Sequence, residues 1–276
     1  MLPISAHGTT YPGRREVNQD DILQFYPHPD AFFLAVADGM GGTAGGQIAS
    51  QAVLKRVEAY LEERFQYQTE PEEMKEIMAE VYEEAQEAIR AVLNEEPSLQ
   101  GMGTTMTCVL GFKDRFVVGN MGDSRVYYLH NGRMRQVTID HSYLEEFRKQ
   151  ANTEDLDPKF VRQYGHIINK TLDGGDDTPD FFPKEDPYYP LSDGDGFLLC
   201  SDGLIVDKMD EQEQLFASYM VGTSDLRTAA ESLVSLAYHA GSTDNISVVM
   251  AEVGSINRNL GRVRTYVFPP SQEEMA

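Results

Sequence analysis

The sequence predicts an α+β fold built on antiparallel sheet. Short apolar runs are joined by tight turns. Segments of helical periodicity come as consecutive neighbours, and the regular strand-helix alternation of a doubly wound sheet is missing. A third observation concerns the ends of the runs. Among the 276 residues, four apolar runs carry an aspartate at one tip: Asp38 after Ala31–Ala37, Asp123 after Phe116–Gly122, Asp202 after Gly196–Ser201, and Asp244 before Ile246–Ala251. One such aspartate is normally a turn former. Four predict carboxylates gathered at one edge of a sheet, and gathered carboxylates need cations.

The elements follow in chain order. Ala31–Ala37 is a continuous apolar run of strand length. Gly39–Gly46 reads as a flexible turn into a helix. From Gln47 to about Phe65, Ile48, Ala52, Val53, Val57, Tyr60 and Leu61 recur at helical spacing. Pro71 opens a second helix, with Met74, Ile77, Met78, Val81, Ala85, Ala88, Ile89 and Val92 on one face. The two helices are expected to pair antiparallel. Strands follow at Thr104–Phe112, Arg115–Asn120 and Arg125–His130, and Asn131-Gly132 signals a two-residue hairpin into Met134–Thr138. Ser142 to Asp195 is mixed, with a short helix near Leu144–Gln150 and then loops rich in proline, glycine and acid. Phe197–Ser201 is a strand. Leu226–Ala240 is a helix with Ser224 or Asp225 as N-cap and Gly241 as its stop. Ile246–Val253 is a strand, Val263–Phe268 a last one, and the polar tail is expected to be disordered.

Composition removes several function classes. The net charge is −22, from 45 acidic and 23 basic residues. Phosphate backbones and anionic membranes both attract basic surfaces, so neither nucleic acid nor membrane is an expected partner. Much of the acid lies between Glu62 and Glu96 and reads as a solvated helix face. No apolar run approaches the roughly 18–20 residues that a membrane helix needs. No basic segment followed by a hydrophobic stretch opens the chain, so no signal peptide is expected. Cys108 and Cys200 lie inside apolar runs and read as buried free thiols in a reducing compartment, which points to the cytoplasm.

Carboxylate oxygens with few nearby histidines or cysteines suit hard cations such as Mg²⁺, Mn²⁺ and Ca²⁺. Zinc would want nitrogen or sulfur, and the six histidines show no paired spacing. Carboxylates able to bridge can hold two cations about 3.5–4 Å apart and so activate water for attack on phosphorus. Asp38-Gly39 fits such a bridge, because the glycine leaves room for its carbonyl to approach. Arg15 offers a planar fork suited to phosphate. It lies five residues before Asp20, so on an extended segment the two would face opposite sides. A bulge or turn is needed to aim both at one site. Asp193–Gly196 and Asp173–Asp177 read as turn and loop. His141 reads as a structural hydrogen-bond partner, and Arg125 as a tie between strands.

Seven motifs then come together: Arg15-x-x-Asn18-Gln19-Asp20, Val36-Ala37-Asp38-Gly39-Met40-Gly41-Gly42, Gly103-Thr104-Thr105, Gly122-Asp123-Ser124-Arg125, Asp140-His141-Ser142, Ser201-Asp202-Gly203-Leu204 and Thr243-Asp244-Asn245-Ile246-Ser247. In this order the chain resembles the metal-dependent serine/threonine protein phosphatases of type 2C, in their bacterial form. The resemblance implies a four-layer αββα sandwich of two antiparallel sheets flanked by helix pairs. It implies a single catalytic domain over residues 1–254, with 142–195 as an atypical flap-like insertion and 255–276 as a C-terminal extension. Two Mn²⁺ or Mg²⁺ ions are implied at one end of the sandwich. Asp38 would bridge both, the Gly39 carbonyl would bind one, and Asp202 and Asp244 the other. Asp20 would hold a metal-bound water or stand just behind the ligands, and Asp123 would help bind a third, looser ion. Arg15 would bind the phosphoryl group. A metal-bridging hydroxide would attack, without a phosphoenzyme intermediate, making Arg15, Asp38 and Asp202 the catalytic set. Substrates would be phosphorylated proteins, products of a cognate serine/threonine kinase, and the enzyme a monomer.

The chain departs from the family pattern in two places. Met40 stands where many eukaryotic members have histidine, so no proton donor to the leaving group is assigned. Asn169-Lys170-Thr171-Leu172-Asp173 stands where the family tends to show Thr-Arg-Ala-Leu-Gly. The alternative reading is a weak or inactive phosphatase-like module that binds phosphoproteins for regulation; a lost carboxylate would favour it, and none is lost. A cysteine-dependent phosphatase needs a cysteine, five residues and an arginine at a helix start. Six residues separate Cys108 from Arg115, inside a strand pattern.

Overall fold

Alternate residues of β3 (Ala31–Met40) enter two different cores. Phe32, Leu34 and Val36 face one, while Ala31, Phe33, Ala35 and Ala37 face the other. A strand sends successive side chains to opposite faces, so a fully apolar run is a strand covered on both sides. The computed structural model describes residues 2–67, 69–151, 157–164, 167–206 and 212–256. In it, β3 belongs to a sheet ordered β10 (Tyr189–Pro190), β6 (Arg115–Met121), β5 (Met106–Phe112), β3, β2 (Asp20–His28). Two short strands join it: β4 (Gly103–Thr104) beside β3, and β9 (Asp180–Phe182) beside β6. The second sheet is ordered β1 (Ile4–Tyr11), β12 (Ile246–Val253), β11 (Gly196–Cys200), β7 (Arg125–His130), β8 (Arg133–Gln136). Every strand pair is antiparallel.

Three apolar layers hold this together. Between the sheets, Phe32, Val109, Phe116 and Val118 meet Val126, Tyr128, Phe197, Leu199 and Val249. Outside the first sheet lie α1 (Gly42–Arg64) and α2 (Met74–Glu95), whose Val53, Val57, Ile77, Val81 and Ile89 pack on Phe33, Cys108 and Leu110. Outside the second lie α5 (Gln212–Gly222) and α6 (Leu226–Ala240), whose Phe216, Leu233 and Val234 pack on Leu198, Val248 and Met250. This is the expected α+β class and the expected four layers. Arg56 reaches Glu84 at 2.5 Å and Arg64 reaches Glu73 at 3.2 Å, so α1 and α2 run antiparallel as predicted. The remaining helices, α3 (Tyr143–Ala151) and α4 (Pro158–Tyr164), lie in the 142–195 segment. Among the described residues, no helix is long and apolar enough to cross a membrane.

Several predicted elements are found nearly residue for residue. Leu226–Ala240 is helical, its N-cap is Asp225, which accepts from Thr228 N at 2.8 Å, and Gly241 ends it at φ +108. Asn131 and Gly132 both have positive φ, 51° and 74°, as the tight hairpin requires. Other boundaries move. Thr104–Phe112 is two strands broken at Thr105, because Thr105 turns its N–H to the Asp38 carbonyl (2.8 Å) and accepts from Asp38 N at its hydroxyl (3.0 Å). The helix expected from Gln47 begins at Gly42, inside the glycine stretch. Those glycines permit close packing, since a Cβ on Gly46 would lie 2.6 Å from the Gly39 carbonyl carbon. β1, β2 and α5 were not foreseen. The predicted strand Val263–Phe268 and the polar tail lie outside the described residues.

Candidate metal centre

The two sheets bring their aspartates to a common edge. Asp20, the first residue of β2, stands opposite Asp38 of β3 in the strand register. β3 continues into Gly39, which pairs with Thr104 of β4 and donates its N–H to the Gln19 carbonyl at 3.1 Å. Asp123 lies in the turn between β6 and β7, where the chain crosses from one sheet to the other. Asp202 follows β11, and Asp244 precedes β12 by two residues; the two strand ends are adjacent, because Cys200 faces Val248. Asp38 and Asp202 stand close enough that each influences the ionisation of the other. All of the carboxylates singled out in the sequence are therefore neighbours.

Crowding and burial act together on their ionisation. Burial raises Asp38 well above the usual carboxylate range, and the charges of Asp20, Asp202, Asp123 and Asp244 add to it. Asp20 is pushed up to about 7, mainly by burial, with hydrogen bonds from Ser201 and Ser247 pulling the other way. Asp123 is pushed up to about 8 by burial and then by Asp202 and Asp140. Asp202 is raised by burial and by Asp244. Like charges in a poorly solvated site cannot all ionise without cations between them.

The donor atoms fit hard cations. One oxygen each of Asp20, Asp123 and Asp202 is buried with no hydrogen-bond partner. Buried carboxylate oxygens without partners are costly, and a divalent ion satisfies them with the oxygen ligands it prefers. Among the described residues, no three histidine, cysteine, aspartate or glutamate side chains are placed to hold one metal ion together. Two of the carboxylates are turned to protein partners instead. Asp20 Oδ2 accepts from Ser201 Oγ at 2.7 Å, and Asp244 Oδ2 accepts from Arg15 Nη2 at 2.7 Å. A cleft of about 240 Å³ lies beside them, lined by Asp202, Gly203, Ser242, Thr243 and Asp244.

Arg15 reaches the same acidic edge as Asp20 by way of Asp244, which it pairs with and whose charge acts on Asp20. A turn closed by Arg15 N to Pro12 O at 3.1 Å precedes Arg15, and the chain from Arg15 to Val17 bends before β2 begins, so Arg15 and Asp20 are not on one extended segment. Its side chain is half exposed and also donates from Nε to Thr243 O at 3.1 Å. Arg125 behaves as the predicted tie, forking onto Asp140 at 3.0 and 2.6 Å. His141 likewise: its Nδ1 accepts from Gly122 N at 3.1 Å, and its own N–H donates to Gly122 O at 2.9 Å, fixing the residue before Asp123.

Sequence reasoning missed several supporting residues. Asn245 Oδ1 accepts from Gln19 N at 2.9 Å, and its Nδ2 donates to Pro12 O and Val17 O, so it staples the turn before β2 to the start of β12. Ser201 links Asp20 to Ser247 N. Thr105 and Ser124 share a hydroxyl hydrogen bond of 2.8 Å beneath Asp38 and Asp123. Each stands inside one of the seven motifs, which is the only signal the sequence offers.

A family model for protein phosphatase 2C matches residues 7–236. The chain belongs to that family. Among relatives, it is 32% identical over 244 residues to the serine/threonine protein phosphatase PstP of Mycobacterium tuberculosis, covering 87% of this chain and 43% of that protein. The chain thus spans less than half the length of that relative. A serine/threonine phosphatase stp of Listeria welshimeri is 29% identical over 238 residues, covering 86% of this chain and 91% of the relative. The crystal structure of the catalytic domain of PstP in complex with two manganese ions superposes with a TM-score of 0.74 at 28% identity, covering 92% of this chain and all of that one. The antiparallel sandwich described above is this family's fold.

Proposed function

We propose that this chain is a metal-dependent phosphoprotein phosphatase that hydrolyses phosphoserine and phosphothreonine. The carrying observation is the set of buried, unpartnered oxygens on Asp20, Asp123 and Asp202 in one acidic cluster. Family membership, and a structural relative holding two manganese ions, support the same reading. Two Mn²⁺ or Mg²⁺ ions bound here would supply Lewis acidity and a water acidic enough to attack phosphorus near neutral pH.

The chain's own residues would divide the remaining work. Asp38, Asp202, Asp244 and the Gly39 carbonyl would hold the core ions, and Asp123 a third. Asp20, fixed by Ser201, would orient solvent at the same edge. Arg15 would grip the non-bridging oxygens of the phosphoryl group through its fork. A cysteinyl phosphoenzyme is disfavoured, because both thiols are buried and pushed up to about 12, leaving little thiolate to attack. Residues 1–254 would act as one catalytic domain, and phosphorylated proteins made by a cognate kinase would be its substrates.

A phosphothreonine peptide assayed with and without Mn²⁺ tests this. Release of phosphate should require the ion and stop with chelator. A folded, Mn²⁺-binding protein that releases none is instead the regulatory binding module.

A further inference from the structure

A second cleft lies away from the acidic edge, between α2 and the segment 175–181. Its volume is about 340 Å³, within the range of small-molecule sites. One wall is a stripe of α2: Ala79, Tyr82, Glu83, Gln86 and Arg90. The spacing of these residues places them on a single helix face. The other wall is the 175–179 backbone with Phe181, whose ring meets Tyr82 edge-on at 5.9 Å.

This cleft is built. Gln86 Oε1 accepts from Gly174 N at 2.7 Å, which fixes the orientation of the amide. Arg90 clamps the same loop, donating from Nε to Gly174 O at 2.9 Å and from Nη2 to Gly175 O at 3.0 Å. The opposite end of the amide, Gln86 Nε2, is buried without a partner, and the residue is only 4% exposed. An unpaired buried donor costs free energy that a ligand acceptor would recover. At the rim stand the exposed carboxylates of Glu83, Asp176 and Asp177. Arg90, the cation among them, is already engaged by Glu83 and Glu87.

The outer wall is also tied to the metal centre at both ends. Leu172 exchanges backbone hydrogen bonds with Thr104, each 2.9 Å, and Thr104 Oγ1 donates to the Asp38 carbonyl at 2.9 Å. Asp180 pairs with Asn120 in the β9–β6 ladder, and Asn120 Nδ2 donates to Gly122 O at 3.2 Å, beside Asp123. The 173–179 segment is thus connected, through Leu172 and Asp180, to residues that support Asp38 and Asp123.

We propose that this cleft is a second ligand site, for an arginine- or lysine-like unit. The carbonyl of that unit would accept from Gln86 Nε2, its aliphatic stem would lie against Tyr82 and Phe181, and its cation would face Glu83, Asp176 and Asp177. Occupancy changes the affinity of the acidic edge for divalent ions. This coupling rests on the proposed metal centre, whereas ligand binding itself does not.

The test uses the full chain and two probes, argininamide and the blocked peptide acetyl-Gly-Arg-Gly-amide, with acetylglutamate amide as the control. In the Mg²⁺-loaded protein, the Gln86 side-chain NH₂ resonances should shift saturably with an arginine probe and not with the control. Tighter binding of argininamide identifies a free ligand, and tighter binding of the blocked peptide identifies a peptide segment. Gln86→Leu, and separately the surface pair Asp176→Asn with Asp177→Asn, should each weaken binding at least tenfold while the far-UV circular dichroism stays unchanged. No saturable shift, an equal response to the control, or unaltered affinity in the surface pair overturns the site. Calorimetric Mn²⁺ affinity should change at least threefold with saturating probe, and equal affinity overturns the coupling. A protein that binds no Mn²⁺ in either condition defeats the proposed function, and the probe titration still decides the cleft.

Discussion

Arg15 and Asp244, 229 residues apart in the chain, form an ion pair of 2.7 Å at the acidic edge. The group proposed to hold phosphate and a carboxylate proposed to hold a cation thus occupy one another. Both side chains are well exposed, at 55% and 39%. Pairs of that kind contribute about 0–1 kcal/mol, far less than a divalent ion gains from a carboxylate cluster. On the proposed reading, a cation bound at Asp244 would displace this ion pair and free the Arg15 fork.

Arg15→Ala should therefore tighten Mn²⁺ binding by a few fold, measured calorimetrically, because both competition and a repelling charge are lost. The same variant should raise KM for a phosphopeptide, and comparison with kcat separates binding from turnover. Weaker Mn²⁺ binding would show that the arginine organises Asp244 instead.

Asp202→Asn should reduce Mn²⁺-dependent phosphate release by at least about a hundredfold, since it removes a charged oxygen ligand from the proposed centre. Cys108→Ser and Cys200→Ser should retain most of that rate in protein that remains folded. Chelator-resistant activity lost with either cysteine would refute the metal mechanism.

Stability of the cation-free protein should fall as pH rises. Asp20 and Asp123 have folded values of about 7 and about 8, above the 3.8 of a free aspartate. Folding therefore favours the protonated form. This contribution is complete below about pH 4 and is lost as pH climbs through 7 and 8. Melting in chelator should occur at a lower temperature at pH 8.5 than at pH 5.5. Added Mn²⁺ should raise Tm most at the higher pH, where the carboxylates are ionised. A cation-free Tm that rises over this interval would contradict the raised values.

Gly203→Ala should disturb the contact between the two turns that carry Asp202 and Asp244. A Cβ at Gly203 would lie 1.8 Å from Asn245 O, so backbone must move. Overpacking of this kind costs about 1–3 kcal/mol, roughly 2–5 °C in Tm for a chain of this size. Mn²⁺ affinity should fall with it. A variant with wild-type Tm and affinity would show the turns to be independent.

The parts of this fold that were legible in the sequence are those where local chemistry and burial agree. Ala31–Ala37 is apolar on both faces and reads as a strand because it is covered on both. Asn131-Gly132 and the Asp225–Gly241 caps encode their own geometry. β1 and β2 were illegible because most of their residues are only partly buried, and polar positions interrupt any alternation. α5 mixes apolar and polar residues around its circumference and shows no stripe. At the site, the aspartates were visible as motifs. Their hydrogen-bond partners were not, because Ser201 to Asp20 and Arg15 to Asp244 are contacts between distant segments that only the packed sheets create.

The acidic edge draws Asp20 and Asp38 from one sheet and Asp202 and Asp244 from the other. Two leaves that meet along one rim make a jaw, and its gape is set by the filling between them. Phe32, Phe116, Phe197, Leu199 and Val249 are that filling. Trimming one of these side chains would leave every carboxylate in the chain and still alter the bite.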